Sequence, residues 1–128
     1  MQLANSLESL SLSSDTVVTI GTFDGVHRGH RYLLAQVMAR ARETGRKSAV
    51  LTFYPHPRLV LQPEARPACL STPDERADLL EALGPDLMVI QPFSRAFADT
   101  PADQFAADLV RHLRMRELWV GAGFALGR

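Results

Sequence analysis

Short apolar runs and helical stripes take turns along this chain. Thr16–Ile20 (TVVTI) is β-branched or apolar throughout and stops at Gly21, the pattern of a buried strand feeding a turn. From His30 the period changes: Tyr32, Leu33, Leu34, Val37, Met38 and Ala41 recur at helical spacing through RYLLAQVMARARETG, and Gly45 stands where a helix would end. KSAVLTF, closing at Phe53, predicts the next strand. Strand, helix, strand implies a right-handed parallel crossover.

Punctuation comes next. YPHPRLVLQPEARPACL carries four prolines, each fixing φ and removing a donor, and predicts a long loop. STPDERADLLEALG predicts a helix, with Ser71 or Thr72 as N-cap, Pro73 in the first turn, acids early, and Leu79, Leu80 and Leu83 before Gly84. That role accounts for Ser71, Thr72 and Asp74, and no chemistry is assigned to them. DLMVI predicts a third strand, and QPFSRAFADT the loop after it, with Phe93 and Phe97 plugging the core and Arg95 solvated. Thr100 is the expected cap of a helix starting at Pro101, in which Phe105, Leu109 and Leu113 recur every fourth residue. ELWVG predicts a fourth strand with Trp119 in the core.

This alternation predicts an α/β fold: a Rossmann-like three-layer sandwich on a mainly parallel sheet, with ligands at the carboxyl ends of its strands. NSLESLSLSSD alternates leucine with serine and reads as either an edge strand or a loose leader, so residues 1–15 are set apart from a domain spanning 16–128. GAGFALGR supplies no closing element where such a sheet normally continues. The chain is therefore expected to be a C-terminally truncated piece of something longer.

Composition narrows the picture in three ways. At 128 residues and 46% hydrophobic content the chain can fill one core and not two. Its 14 basic and 14 acidic side chains cancel, with no basic block, which argues against a nucleic-acid partner. Cys69 stands alone, so no intrachain disulfide forms, and no secretory segment or apolar run of about 18 residues is present. A soluble, cytoplasmic protein with no membrane partner is the expectation.

The candidate chemistry lies in GTFDGVHRGH, Gly21 to His30. A loop from a strand end to a helix start sits at the carboxyl edge of the sheet, where the N–H groups of the helix's first turn lack intrahelical partners and the macrodipole adds positive charge. Gly21, Gly25 and Gly29 leave room for phosphates to approach the backbone. His27 and His30, three apart in a first turn, reach one ligand together and can donate hydrogen bonds to oxygens that gain charge as pyrophosphate leaves. Asp24 orders the turn or holds a metal-bound water. The same pair could be half of a zinc site, but the remaining soft ligands, Cys69, His56 and His112, are scattered without metal-type spacing, and no residue is assigned as a metal ligand.

HRGH resembles the H-x-G-H signature of the nucleotidyltransferase superfamily. Within it GTFDGVHRGH, then LTFYPHP, LSTPDER and QPFSRAFADTPADQF, resemble the adenylyltransferase half of the prokaryotic bifunctional FAD synthetases, the riboflavin kinase/FMN adenylyltransferases. The likeness runs from about Val17 to the last residue. It implies an enzyme that transfers AMP from ATP to FMN, giving FAD and pyrophosphate, with Mg2+ and small-molecule substrates, and a riboflavin kinase domain elsewhere in the full-length protein. By the same likeness Gly21, Thr22, Phe23 and Gly29 bind ATP, His27 and His30 contact its phosphates as the catalytic pair, and Phe53, Pro55, His56 and Pro57 form the flavin side.

The likeness has gaps. Thr22 stands where many members carry Asn, and VGAGFALGR places Gly123 and Ala125 where the family has a polar and a basic side chain. Two rival expectations arise: another H-x-G-H enzyme of cytidylyltransferase type, which FYPHP argues against, or a truncated relative that binds nucleotide or flavin without turnover.

Overall fold

The computed structural model describes residues 1–21, 28–55, 57–61 and 73–121. The apolar runs become the strands β2 (Thr16–Ile20), β3 (Lys47–Tyr54), β4 (Leu87–Pro92) and β5 (Met115–Trp119). A fifth, β1 (Gln2–Ala4), precedes them. The sheet order is β1-β4-β3-β2-β5, and every pairing is parallel. β2 is buried along its whole length and β3 everywhere but its two ends. Such continuous burial means both sheet faces are covered, which is why these strands read as unbroken apolar runs.

Alternate strand residues serve the two faces. Val18, Ile20, Ala49, Leu51, Leu87 and Val89 pack with Phe105, Leu109 and Leu113 of α5 (Ala102–Leu113). On the other face Val50 and Met88 meet Leu34 of α1 (Arg28–Thr44) and Leu80 of α3 (Pro73–Leu83), and Val17 meets Val37 and Ala41 of α1 beside half-buried Trp119. Gly45 closes α1 at φ +69°: its N–H donates to the Arg42 carbonyl, and the Arg46 N–H donates to the Ala41 carbonyl, the paired bonds of a Schellman end.

Four local expectations are corrected. The edge strand lies at Gln2–Ala4 rather than within NSLESLSLSSD, because the serines make a turn of their own: Ser9 N–H donates to Ser6 Oγ, and Ser9 Oγ to the Ser6 carbonyl. Leu7, inside that turn, and Leu10, just after it, are buried, so the segment covers part of the α5 face of the sheet. The proline-rich stretch contains a short helix, α2 (Pro57–Leu61), with Pro57 at the first position, where its missing N–H leaves no gap. QPFSRAFADT contains the single turn α4 (Arg95–Ala98), capped by Ser94, whose Oγ accepts from the Phe97 N–H. Thr100 therefore closes α4, donating its N–H to the Phe97 carbonyl, and Pro101 is the N-cap of α5.

β2 has β3 on one side and β5 on the other, while α1 and α5 cover opposite faces. The winding thus changes direction between β2 and β5. Sheets of this kind leave a crevice outside the carboxyl ends of the strands at that point.

Candidate active site

In a sheet of this order that point lies where the chain leaves β2 and β5. Thr19 pairs with Trp119 near the ends of these strands, and Gly21 and Gly121 come just after. Gly21 holds its strand end in place by donating its N–H to the Leu51 carbonyl at 3.1 Å. A Cβ built on Gly121 would meet nothing within 4 Å.

α1 begins at Arg28, so Gly29 and His30 lie in its first turn, where backbone N–H groups have no intrahelical partner. That turn carries no acidic residue, whereas α3 begins with Asp74 and Glu75. Over 17 residues the α1 dipole sums to roughly half a positive charge at this end. No acid of its own first turn neutralises it. The amino end of α1 is thus an anion-accepting point directly downstream of β2. Thr22, Phe23, Asp24, Gly25 and His27 lie outside the described residues.

The strand beside it, β3, delivers the second group. Phe53 is 9% exposed, and its ring packs edge-on to Phe93 at 5.6 Å and at a tilt to Phe97 at 5.9 Å, in a chain of rings that reaches Phe105. Its ring thus belongs to the core beneath the edge. Tyr54 and Pro55 are exposed and Pro57 half-buried at the start of α2, while His56 lies outside the described residues. Arg76, in the first turns of α3, is 1% exposed and donates from Nη1 to Thr52 Oγ1 at 2.7 Å and to the Phe53 carbonyl at 2.8 Å. Sequence reasoning read its helix only as a helix. The available signal was position: Arg76 lies four residues before Leu80, on the face that packs against the sheet.

A sequence profile described as FAD synthetase matches residues 10–128. This chain belongs to the FAD synthetase family. It is 37% identical to the bifunctional riboflavin kinase/FMN adenylyltransferase of Escherichia coli (strain K12), over 99% of this chain and 42% of that one. It is 32% identical to the protein of the same name from Bacillus subtilis (strain 168), over 88% of this chain and 36% of that one. Among solved structures, one described as a macrolide-efflux protein from Streptococcus pneumoniae superposes with a TM-score of 0.83 at 27% identity, over 98% of this chain and 42% of that one. Among the described residues here, no helix is long and apolar enough to cross a membrane. The chain spans about two-fifths of the length of the first of these relatives.

For a FAD synthetase family chain, the structure brings Gly21, Gly29 and His30 to one strand–helix junction and Phe53, Pro55 and Pro57 to the neighbouring strand end. Gly123 and Ala125 lie outside the described residues. Two other described features are remote from this edge. A cavity of about 260 Å3 opens among Thr16, Lys47, Asp86 and Leu87, at the opposite, amino ends of the strands. Toward the far end of α1, Arg40 and Arg46 flank Glu117 of β5. Burial pushes the Glu117 carboxyl up, but hydrogen bonds from Trp119 and Arg40 and the charges of Arg40 and Arg46 outweigh it and hold the group below its ordinary value.

Proposed function

We propose that this chain provides the adenylyl-transfer site of a FAD synthetase, joining AMP from ATP to FMN. A phosphate oxygen of FMN forms a bond to the α-phosphorus of ATP in line with the bond that breaks, and pyrophosphate leaves with that electron pair. The attacking oxygen is already ionised, so no general base is required, and the protein's task is to hold two anions in register while charge moves onto the leaving group. The amino end of α1, together with Gly21, Thr22, Phe23 and Gly29, takes the ATP phosphates, and His27 and His30 donate to the oxygens that gain charge. Phe53, Pro55, His56 and Pro57 take the flavin side.

The observation that carries this reading is the strand–helix junction. A 17-residue helix with no acid in its first turn starts immediately after HRGH's first histidine, at the point where the sheet reverses its winding. Magnesium would neutralise charge on the nucleotide's phosphates. The names of the relatives suggest a riboflavin kinase domain elsewhere in the full-length protein as the source of FMN. Both substrates are small intracellular molecules, in keeping with a cytoplasmic enzyme.

The test is direct. Full-length protein given FMN, ATP and Mg2+ is expected to form FAD and release pyrophosphate in equal amounts. No FAD, or faster turnover with CTP and a phosphorylated alcohol, overturns the reading.

A further inference from the structure

The apolar face of α3 packs on the sheet through Leu80, with Ala77 and Leu83 alongside. Arg76 extends that face by one turn toward the carboxyl edge, where a leucine or methionine would complete it. A guanidinium is there instead, at 1% exposure. Burying a charge is unfavourable unless it is well hydrogen-bonded, so the informative feature is what the group holds.

Arg76 Nη1 donates to the side chain of Thr52 and the main chain of Phe53, consecutive residues next to the end of β3. Carbonyls along β3 alternate in direction. That of Leu51 accepts from Gly21 on the β2 side, and that of Tyr54 accepts from Phe93 on the β4 side. The Phe53 carbonyl consequently faces the β2 side, two residues beyond the last described rung of the β2–β3 ladder, Ile20 with Leu51. Arg76 satisfies it where the two strands part. One of these strands leads to HRGH and the other to YPHP.

Resting on the function proposed above, we propose that Arg76 is a positioning residue that fixes the exit of β3, and so the flavin-side loop, against the nucleotide side. It acts through Thr52 and Phe53 and not on substrate. Its loss displaces FMN more than ATP.

Arg76→Met in the full-length protein tests this, with Arg76→Lys and Thr52→Val beside it. The expected result is a KM for FMN raised about tenfold or more, a KM for ATP changed less than about twofold, and a lowered melting temperature, because the Phe53 carbonyl and the Thr52 hydroxyl lose a buried donor. Arg76→Lys is expected to recover part of the FMN affinity, and Thr52→Val to shift the same constant more weakly. Should Arg76→Met fail to fold, Thr52→Val and Arg76→Lys carry the same kinetic test. Wild-type KM values in the variants overturn the inference, as does a parallel loss of both substrates. If the wild-type protein makes no FAD, the proposed function fails first; if it makes FAD and the variants match it, only the role of Arg76 fails.

Discussion

The backbone N–H of Leu7 donates to Gln91 Oε1 at 2.7 Å, tying the amino-terminal segment to the end of β4 across 84 positions of sequence. Leu7 and Gln91 are both buried, and His112 Nδ1 meets the Leu10 carbonyl at 3.1 Å further along the same segment. The segment thus does the covering work that a helix does elsewhere on the sheet. Replacing Gln91 with Met keeps the volume and leaves a buried N–H without an acceptor, at a cost of about 1–3 kcal/mol. Urea unfolding of the Gln91→Met protein is expected to show a lower midpoint, with an unfolding free energy reduced by that amount.

Two threonines of β2 give opposite predictions. Thr16 Oγ1 donates to the Leu113 carbonyl at 2.7 Å, joining the end of α5 to the strand that begins the site. Thr19 Oγ1 is buried without a hydrogen-bond partner among the described residues. Thr16→Val removes a made bond and is expected to lower stability by about 1 kcal/mol or more. Thr19→Val removes a hydroxyl that gains nothing from burial, and is expected to raise stability by about 1 kcal/mol. The same urea titrations compare them, and a stability loss in Thr19→Val would mean that the hydroxyl does bond within the folded protein.

The parts of the fold that were legible in the sequence are those whose burial is uniform. TVVTI and KSAVLTF are covered on both faces, so apolarity alone marks them. Phe105, Leu109 and Leu113 repeat at helical spacing and form the buried stripe of α5. Legibility fails where structure is shorter than its period. β1 has three residues and α4 one turn, and each depends on a partner distant in sequence or on a local cap, as Ser94 is for α4. In the site, strand, glycine and helix start could be read from spacing. Arg76 was marked only by its place four residues before Leu80, and because pattern reading sends a charge to the surface, it took packing to show this one inside.

Glu117 predicts a pH effect. Its carboxyl accepts from Arg40 Nε at 3.0 Å and Arg46 Nη1 at 2.8 Å, linking β5 to the last turns of α1 and to the start of β3. The folded carboxyl titrates below its ordinary value, so the unfolded chain takes up this proton first on acidification. Its stabilising contribution is fully present above the ordinary carboxylate range and is lost as pH falls through the depressed value. Glu117→Gln is expected to unfold more readily than wild type at pH 7, with the gap closing in acid. A gap that stays constant down to acid pH would remove the ion pairs as its cause.

In the function proposed above the histidines donate to the leaving pyrophosphate, and their prediction separates catalysis from folding. His30 lies in the first turn of α1, and His27 immediately precedes the helix in sequence. Among the described side chains of α1, those buried against the sheet begin at Leu34. Truncating either imidazole should therefore spare the core while removing a donor needed when pyrophosphate departs. His27→Ala and His30→Ala are each expected to slow FAD formation by roughly tenfold or more, about 1.4 kcal/mol or above in the barrier, with KM values changed less than kcat. Steady-state rates beside melting temperatures make the comparison. Wild-type rates in both variants would leave the amino end of α1 as a phosphate anchor and send the search for the charge-stabilising groups to the residues beyond β5.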